Sequence, residues 1–277
     1  MVDFKHIRVE SHGHVMICFL SNPPSHTLTS EGVIEINNLL DDLKEKRDLR
    51  VLAFTGEDSN VFIKHYEVGE LSKTANSNIK RKKEELDAPK ELHGFHKMLL
   101  KIRDLDAIVV AGINGNTAGG GCEFSLGCDL RVMSEGKYFI GLPETSVGIL
   151  PGGGGTQRLA RMIGSSRAMD LILHARLMTN TEAFEYGLVN KLLPQETFRE
   201  DLKDYCEDLA SRAPIALREA KKAIHKGLEV SLEEGLRIEQ DAFNTTMNSN
   251  DAARAMRDLL NNKEDINESP QTKWEGN

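Results

Sequence analysis

The 277-residue sequence predicts an α/β protein with a helical C-terminal part. Up to about residue 195, short apolar runs alternate with amphipathic segments, a pattern typical of strands that are joined by helices and pair mainly in parallel. From residue 196 the strand-like runs stop and helix-like segments follow one another. We therefore divide the chain into a core, residues 1–195, and a helical region, residues 196–277.

Hydrophobic periodicity places the elements of the core. The first helix, 29–48, has Thr29 or Ser30 as a candidate N-cap and repeats apolar side chains at helical spacing. These side chains are Val33, Ile36, Leu40 and Leu43. Further helices are predicted over 93–106, 158–164 and 166–175, and strands over 14–21, 51–56, 107–115, 130–134 and 187–193.

Four helices are predicted in the helical region, over 196–213, 214–229, 231–247 and 250–262. Pro214 supports the boundary between the first two, because proline is favoured in the first turn of a helix. The chain then ends in a polar stretch, and we expect about the last 15 residues to be disordered, apart from contacts of Trp274.

Composition excludes several classes of protein. A net charge of -8 and a hydrophobic fraction of 39% indicate a globular protein with a mildly acidic surface, which argues against nucleic acid as a partner. The sequence has neither the run of about 20 apolar residues that a membrane span needs nor a secretory signal, so we predict a cytoplasmic protein. The four cysteines show no metal-binding or redox spacing, which predicts buried, reduced thiols and no metal. They are Cys18, Cys122, Cys128 and Cys206.

Two glycine-rich loops follow predicted strands. They read NGNTAGGGCEFSLGCD (114–129) and GLPETSVGILPGGGGTQRLARMIG (141–164), and neither has the spacing of a nucleotide-binding loop. Glycines between a strand and a helix let the backbone approach a ligand and direct unpaired N–H groups at it. Such a loop can stabilise an oxyanion as well as a phosphate.

Each loop carries one carboxylate, Glu123 or Glu144. Glu123 could simply interact with the dipole of its helix, which needs no chemistry. Its apolar neighbours indicate burial instead, and Glu144 has a similar setting next to Leu142 and Pro143. A buried carboxylate with no cation nearby in sequence is costly, so the two form a candidate acid/base pair.

The two loops, in this order, resemble the enoyl-CoA hydratase/isomerase (crotonase) superfamily, and above all its enoyl-CoA hydratases. NPPSHTLTSEGV (22–33) and VLAFTGEDSNVF (51–62) extend the resemblance over nearly the whole chain. It implies a spiral of repeated ββα units, with a C-terminal helical region that builds a trimer, often paired into a hexamer. It also implies an acyl-CoA thioester substrate and no cofactor beyond the coenzyme A of that substrate.

The resemblance assigns roles to residues of the loops. Glu144 would donate a proton to the α-carbon while Glu123 activates water, and the N–H groups of Gly120 and Tyr66 would bind the thioester oxygen. Lys64, Tyr66, Val68, Gly119 and Gly120 match substrate-binding positions.

This sequence departs from the family pattern at His65, which stands where a glycine is usual. Any positive φ at His65 would be strained. The basic run from Lys80 to Lys83 is either a solvated surface or a contact for the phosphates of coenzyme A.

Three functions remain open at this point. The first is hydration of a 2-enoyl-CoA, which the presence of both glutamates favours. The second is another reaction of the same scaffold, such as isomerisation, hydrolysis or hydratase-linked cleavage, because fold does not fix reaction type. The third is a family member without catalytic activity.

Overall fold

The computed structural model describes residues 4–81, 91–262 and 273–277. Nine strands form two sheets in this part of the chain. The strands are β1 (Ile7–His12), β2 (Val15–Leu20), β3 (Val51–Gly56), β4 (Ile108–Ile113), β5 (Thr117–Ala118), β6 (Leu130–Ser134), β7 (Phe139–Gly141), β8 (Leu177–Thr179) and β9 (Lys191–Leu193).

The helices fill the connections between these strands and form most of the chain after β9. They are α1 (Ser30–Leu43), α2 (Val68–Ile79), α3 (Gly94–Asp104), α4 (Gly120–Leu126), α5 (Gly155–Ile163), α6 (Ser165–Leu173), α7 (Asn180–Glu185), α8 (Phe198–Ala210), α9 (Pro214–Gly227), α10 (Leu232–Met247) and α11 (Asn250–Asn262). A short 3₁₀ helix covers Glu144–Val147.

The large sheet has the strand order β1-β2-β3-β4-β6-β9, and the small one has the order β5-β7-β8. All pairs of the large sheet are parallel except β1 with β2. A strand of the large sheet, a short strand of the small sheet and a helix follow one another as β4-β5-α4 and again as β6-β7-α5, with the 3₁₀ helix between β7 and α5. This repeat is the ββα spiral expected for the crotonase fold.

Local sequence determines α1 as predicted. Thr29 caps it by accepting a hydrogen bond from the Gly32 N–H at 3.0 Å, and all four of the periodic apolar side chains are buried. Strands 51–56 and 130–134 also have the predicted bounds. The four cysteines are buried and free, as expected.

Several elements differ from the predictions. The predicted strand 187–193 begins only at Lys191, because Gly187 has a φ of 73° and belongs to the turn that ends α7. Strands β1, β5, β7 and β8 and helices α2 and α7 were not predicted. Helix α2 buries none of its side chains, so it lacks the apolar stripe on which the prediction depends.

The main core cluster includes the buried side chains of α1 and α3. Helix α8 packs on the large sheet, and its apolar side chains form a second, separate cluster with β2, β3 and β9. Helices α9 and α10 pack mainly against each other. The division at residue 195 falls between β9 and α8 and stays a prediction.

The disorder expected at the chain end concerns mainly residues 263–272, which lie outside the described residues. In residues 273–277, the Trp274 indole N–H donates to the Ser211 carbonyl at 2.7 Å, and the N–H groups of Glu275 and Gly276 donate to the buried Asp251.

Candidate active site

Tyr66 lies in the loop between β3 and α2 and forms a parallel bridge with Leu28. The bridge uses the His65 carbonyl and the Glu67 N–H, each 2.9 Å from its Leu28 partner. In a parallel bridge the central residue directs its own N–H away from the partner. The Tyr66 N–H has no acceptor in the part of the chain that the structure describes.

Gly120 is the first residue of α4, where a helix leaves its N–H groups unpaired. Its N–H likewise has no acceptor among the described residues. A Cβ atom on Gly120 would lie 2.8 Å from the Tyr66 Cβ and 3.2 Å from the Tyr66 nitrogen. Gly120 can pack directly against Tyr66 because it has no side chain. The N–H groups of these two residues, which have no acceptor among the described residues, therefore lie close together.

Glu123 is buried in the first turn of α4, and its Oε1 accepts hydrogen bonds from the N–H groups of Gly153 at 2.7 Å and Gly155 at 2.8 Å. Burial raises the pKa of the Glu123 carboxyl, while these two N–H groups and the charge of Arg158 act to lower it. Glu123, which has no cation nearby in sequence, thus receives hydrogen bonds from backbone N–H groups at the N-terminus of α5.

Glu144 has a different environment. It begins the 3₁₀ helix, its Oε2 is buried, and that atom has no hydrogen-bond partner among the described residues. Burial, opposed by a hydrogen bond from its own backbone and supported by the charge of Glu123, raises the pKa of Glu144 to about 7. A Cβ on Gly119, which has a φ of 51°, would lie 3.2 Å from the Glu144 Oε1. Glu144 thus borders the loop that carries the Gly120 N–H, in a setting that favours its protonated form.

Aromatic side chains form one wall of this site. The rings of Tyr66 and Phe95 meet edge to face, with their centroids 6.2 Å apart. The Tyr66 hydroxyl donates to Glu70 Oε2 at 2.9 Å, which fixes the ring, and together with burial this hydrogen bond raises the pKa of Tyr66. A Cβ on Gly153 would lie 2.6 Å from the Phe95 Cε1 and 2.5 Å from the Glu123 Oε2. Phe95 therefore lies beside the Glu123 carboxylate.

The model for "Enoyl-CoA hydratase/isomerase" matches residues 10–267 of the chain. The chain belongs to the enoyl-CoA hydratase/isomerase family. It is 33% identical over 252 residues to a probable mitochondrial enoyl-CoA hydratase of Dictyostelium discoideum, a match that covers 89% of this chain and 85% of that one. It is 29% identical over 258 residues to a short-chain-enoyl-CoA hydratase of Clostridium acetobutylicum, covering 92% and 94%.

The solved structure of an enoyl-CoA hydratase from Bacillus anthracis matches the fold with a TM-score of 0.84 at 30% identity, over 99% of this chain and all (100%) of that one. The crotonase fold of this family member is therefore shown. No helix of the described residues is both long and apolar enough to cross a membrane.

The remaining predicted site residues of this family member lie on the loop before α2 or at its start. The Lys64 N–H donates to the His26 carbonyl at 2.8 Å, and its side chain is exposed. Val68 is the first residue of α2 and is exposed as well. His65 does not have a positive φ, so the strain considered for it does not arise. The non-glycine residues with positive φ in the described chain are His26 and Ala175.

The basic run starts at Lys80, the exposed C-cap of α2. Arg81 is the last residue before the gap, whereas Lys82 and Lys83 lie outside the described residues, so a contact with coenzyme A stays a prediction.

Sequence reasoning missed four residues that surround Glu123, although three of them belong to the second glycine-rich loop and were visible as part of its motif. They are Phe95, Gly153, Gly155 and Arg158. No group of three or more potential metal-ligating side chains occurs within residues 4–81, 91–262 and 273–277.

Proposed function

We propose that the protein adds water across the double bond of a 2-enoyl-CoA thioester and gives a 3-hydroxyacyl-CoA. One observation carries the proposal: two backbone N–H groups that have no acceptor among the described residues lie beside two carboxyl groups whose environments differ. Relatives named as enoyl-CoA hydratases support the same reaction.

The N–H groups of Tyr66 and Gly120 would donate to the thioester oxygen. Water addition at the β-carbon passes negative charge to this oxygen, and fixed backbone donors stabilise such charge without reorganising. Loss of one donor of this kind typically costs a factor of about 10² to 10³ in turnover. The oxyanion site would therefore supply a large part of the rate.

The two carboxyl groups would divide the proton transfers. Glu144, with its raised pKa and unpartnered oxygen, is suited to give its proton to the α-carbon. Glu123, which two N–H groups and a nearby arginine favour as the carboxylate, is suited to accept a proton from the attacking water. The cycle closes when this proton returns from Glu123 to Glu144, so one water molecule supplies both the hydroxyl group and the hydrogen.

The proposed reaction needs no cofactor, since coenzyme A is part of the substrate. Self-association belongs to the same proposal. Helices α9 and α10 and their connection expose large apolar side chains, a feature of surfaces that other chains cover. These side chains are Ile224, Leu228, Leu232, Leu236 and Phe243.

The reaction is tested by following the loss of enoyl absorbance when the purified protein meets crotonyl-CoA and longer 2-enoyl-CoAs. We expect turnover by the wild type and a loss of about 10² to 10⁴ in Glu123→Gln and in Glu144→Gln. Glu135→Gln, a change at an exposed glutamate, is the matched control and should keep full activity.

An absence of turnover at every chain length would refute the proposal. Turnover that survives both glutamine substitutions would refute the assigned roles. A 3-enoyl-CoA is a useful additional substrate, because its conversion to the 2-enoyl isomer without hydration would favour the isomerase function instead.

A further inference from the structure

The wall beside Glu123 continues along α3 into a cluster of basic side chains, His93, His96 and Arg158, which we call the basic corner. The surroundings of Gly153 and Gly154 show that the aromatic wall and the basic corner are adjacent. A Cβ on Gly153 would meet Phe95 and Glu123, whereas a Cβ on Gly154 would meet the Arg158 guanidinium and lie 3.9 Å from the His96 Nδ1. Phe95 and His96 are neighbours on α3, so the basic corner directly adjoins the carboxylate and the aromatic wall.

The basic corner has no acidic partner in the described residues. Arg158 is half-buried, and its guanidinium donates to the Gly153 carbonyl at 3.4 Å and forms no ion pair with a residue that the structure describes. His96 is half-buried too, and its ring stacks on that of His93 with the centroids 4.2 Å apart. The charge of Glu123 acts on Arg158 from a distance, and Glu123 directs its Oε1 to backbone N–H groups instead.

The surroundings of the basic corner disfavour a positive charge on His96. Burial lowers the pKa of His96, and the charges of His93 and Arg158 lower it further. Burial also lowers the pKa of Arg158. A half-buried guanidinium and a half-buried imidazole that lack an acid are stabilised by an anion with several oxygens, because the guanidinium can then donate a charge-assisted hydrogen bond and the ring of His96 can donate its N–H.

The position of the basic corner suggests which anion this is. If Glu123 activates water for the β-carbon, that carbon lies beside Glu123, and the substituent on it extends along Phe95. His96 follows Phe95 on α3, and the Arg158 guanidinium and the His96 ring both border Gly154, so the basic corner adjoins a substituent that packs on Phe95. We propose that the basic corner binds a carboxylate at the far end of the acyl group, so that the preferred substrates are 2-enoyl-CoA thioesters of dicarboxylic acids. This inference rests on the proposed hydratase function.

The phosphates of coenzyme A are a second source of the same chemistry, and matched substrates distinguish the two. Glutaconyl-CoA carries a carboxylate two carbons beyond the double bond. In 5-methylhex-2-enoyl-CoA a neutral isopropyl group of the same shape replaces this carboxylate. Both compounds carry identical coenzyme A phosphates, so the ratio of their kcat/KM values reports on the acyl carboxylate alone. Hex-2-enedioyl-CoA and 6-methylhept-2-enoyl-CoA form a second pair with a longer reach.

The experiment measures these ratios for the wild type, His96→Leu and His96→Glu. We expect the wild type to prefer the carboxylate of at least one pair by about tenfold or more, the effect of one hydrogen bond to a charged group. His96→Leu should lower that ratio about tenfold, and His96→Glu, which places an acid in the corner, should abolish the preference. Lys97→Leu and Lys97→Glu change the next side chain, which is exposed and paired with Glu91, and should leave the ratio unchanged.

A wild type that hydrates both members of each pair equally would overturn the inference. So would a ratio that both His96 variants retain, or an equal loss for both members, which would assign the corner to the coenzyme A phosphates. A wild type that hydrates none of these compounds or crotonyl-CoA would contradict the hydratase function itself, which is a different result.

Discussion

Replacing Glu144 by glutamine removes a buried charge and keeps the size and shape of the side chain. The carboxyl has a pKa of about 7 in the folded protein against 4.5 for the free side chain, mainly because burial penalises its charged form. Between these two values the folded protein binds more protons than the unfolded chain. The free energy of unfolding therefore falls as the pH rises from 4.5 to about 7.

The size of this effect follows from the pKa. A rise from 4.5 to about 7 corresponds to about 3 kcal/mol for a fully buried group. Glu144 is partly exposed, and because solvent screens part of the penalty we expect about 1–2 kcal/mol. Glu144→Gln should thus be more stable than the wild type by about 1–2 kcal/mol at pH 8, with no gain below pH 4.5, although it loses turnover.

Urea unfolding followed by circular dichroism, at pH 4.5 and pH 8 and at one protein concentration, measures both differences. Glu135→Gln is the control, and we expect no gain from it at either pH. If Glu144→Gln is no more stable than the wild type at pH 8, burial of a charge does not explain the environment of Glu144, and its role as a proton donor loses its physical basis.

Three further substitutions test other parts of the site and its support. Gly120→Ala should reduce turnover about 10²- to 10³-fold, because the new Cβ collides with Tyr66 and displaces its N–H; steady-state kinetics measures this. Arg158→Gln should raise the pKa of Glu123, so that the acidic limb of the kcat/KM profile moves to higher pH. Lys221→Met should lower the free energy of unfolding by about 3–5 kcal/mol in urea, because the ammonium is buried and donates to a carboxylate and two carbonyls.

Each of these changes has a matched control nearby. Gly94→Ala adds a Cβ with ordinary contacts at the start of α3, Arg161→Gln removes an exposed cation one turn further along α5, and Lys222→Met removes a half-buried lysine that lies next to Lys221 and whose ammonium pairs with the exposed side chain of Asp106. We expect the turnover of Gly94→Ala, the pH profile of Arg161→Gln and the free energy of unfolding of Lys222→Met to match those of the wild type. A control that changes as much as its partner variant would contradict the corresponding contact.

The sequence alone determined those parts of the protein that depend on local pattern. Apolar side chains at helical spacing, with a threonine in front, define α1, because a helix is stabilised by hydrogen bonds and packing along one short stretch. The same holds for the glycines before α4 and for the presence of Glu123 and Glu144, each of which is visible in its own loop. The resemblance in these loops also identified the family, which the comparisons confirm.

Contacts between distant segments were decided only by the tertiary structure. Glu123 receives its hydrogen bonds from residues 30 and 32 positions away, and Tyr66 meets Gly120 in a contact that no local period encodes. Phe95, His96 and Arg158 join this site from two other helices. Local periodicity reports which face of an element is buried and carries no information on which loop it faces. For this reason the sequence located both glutamates, while only the fold gave hydrogen-bond donors to Glu123 and none to the buried Oε2 of Glu144 within the described residues, and placed a basic corner beside Glu123.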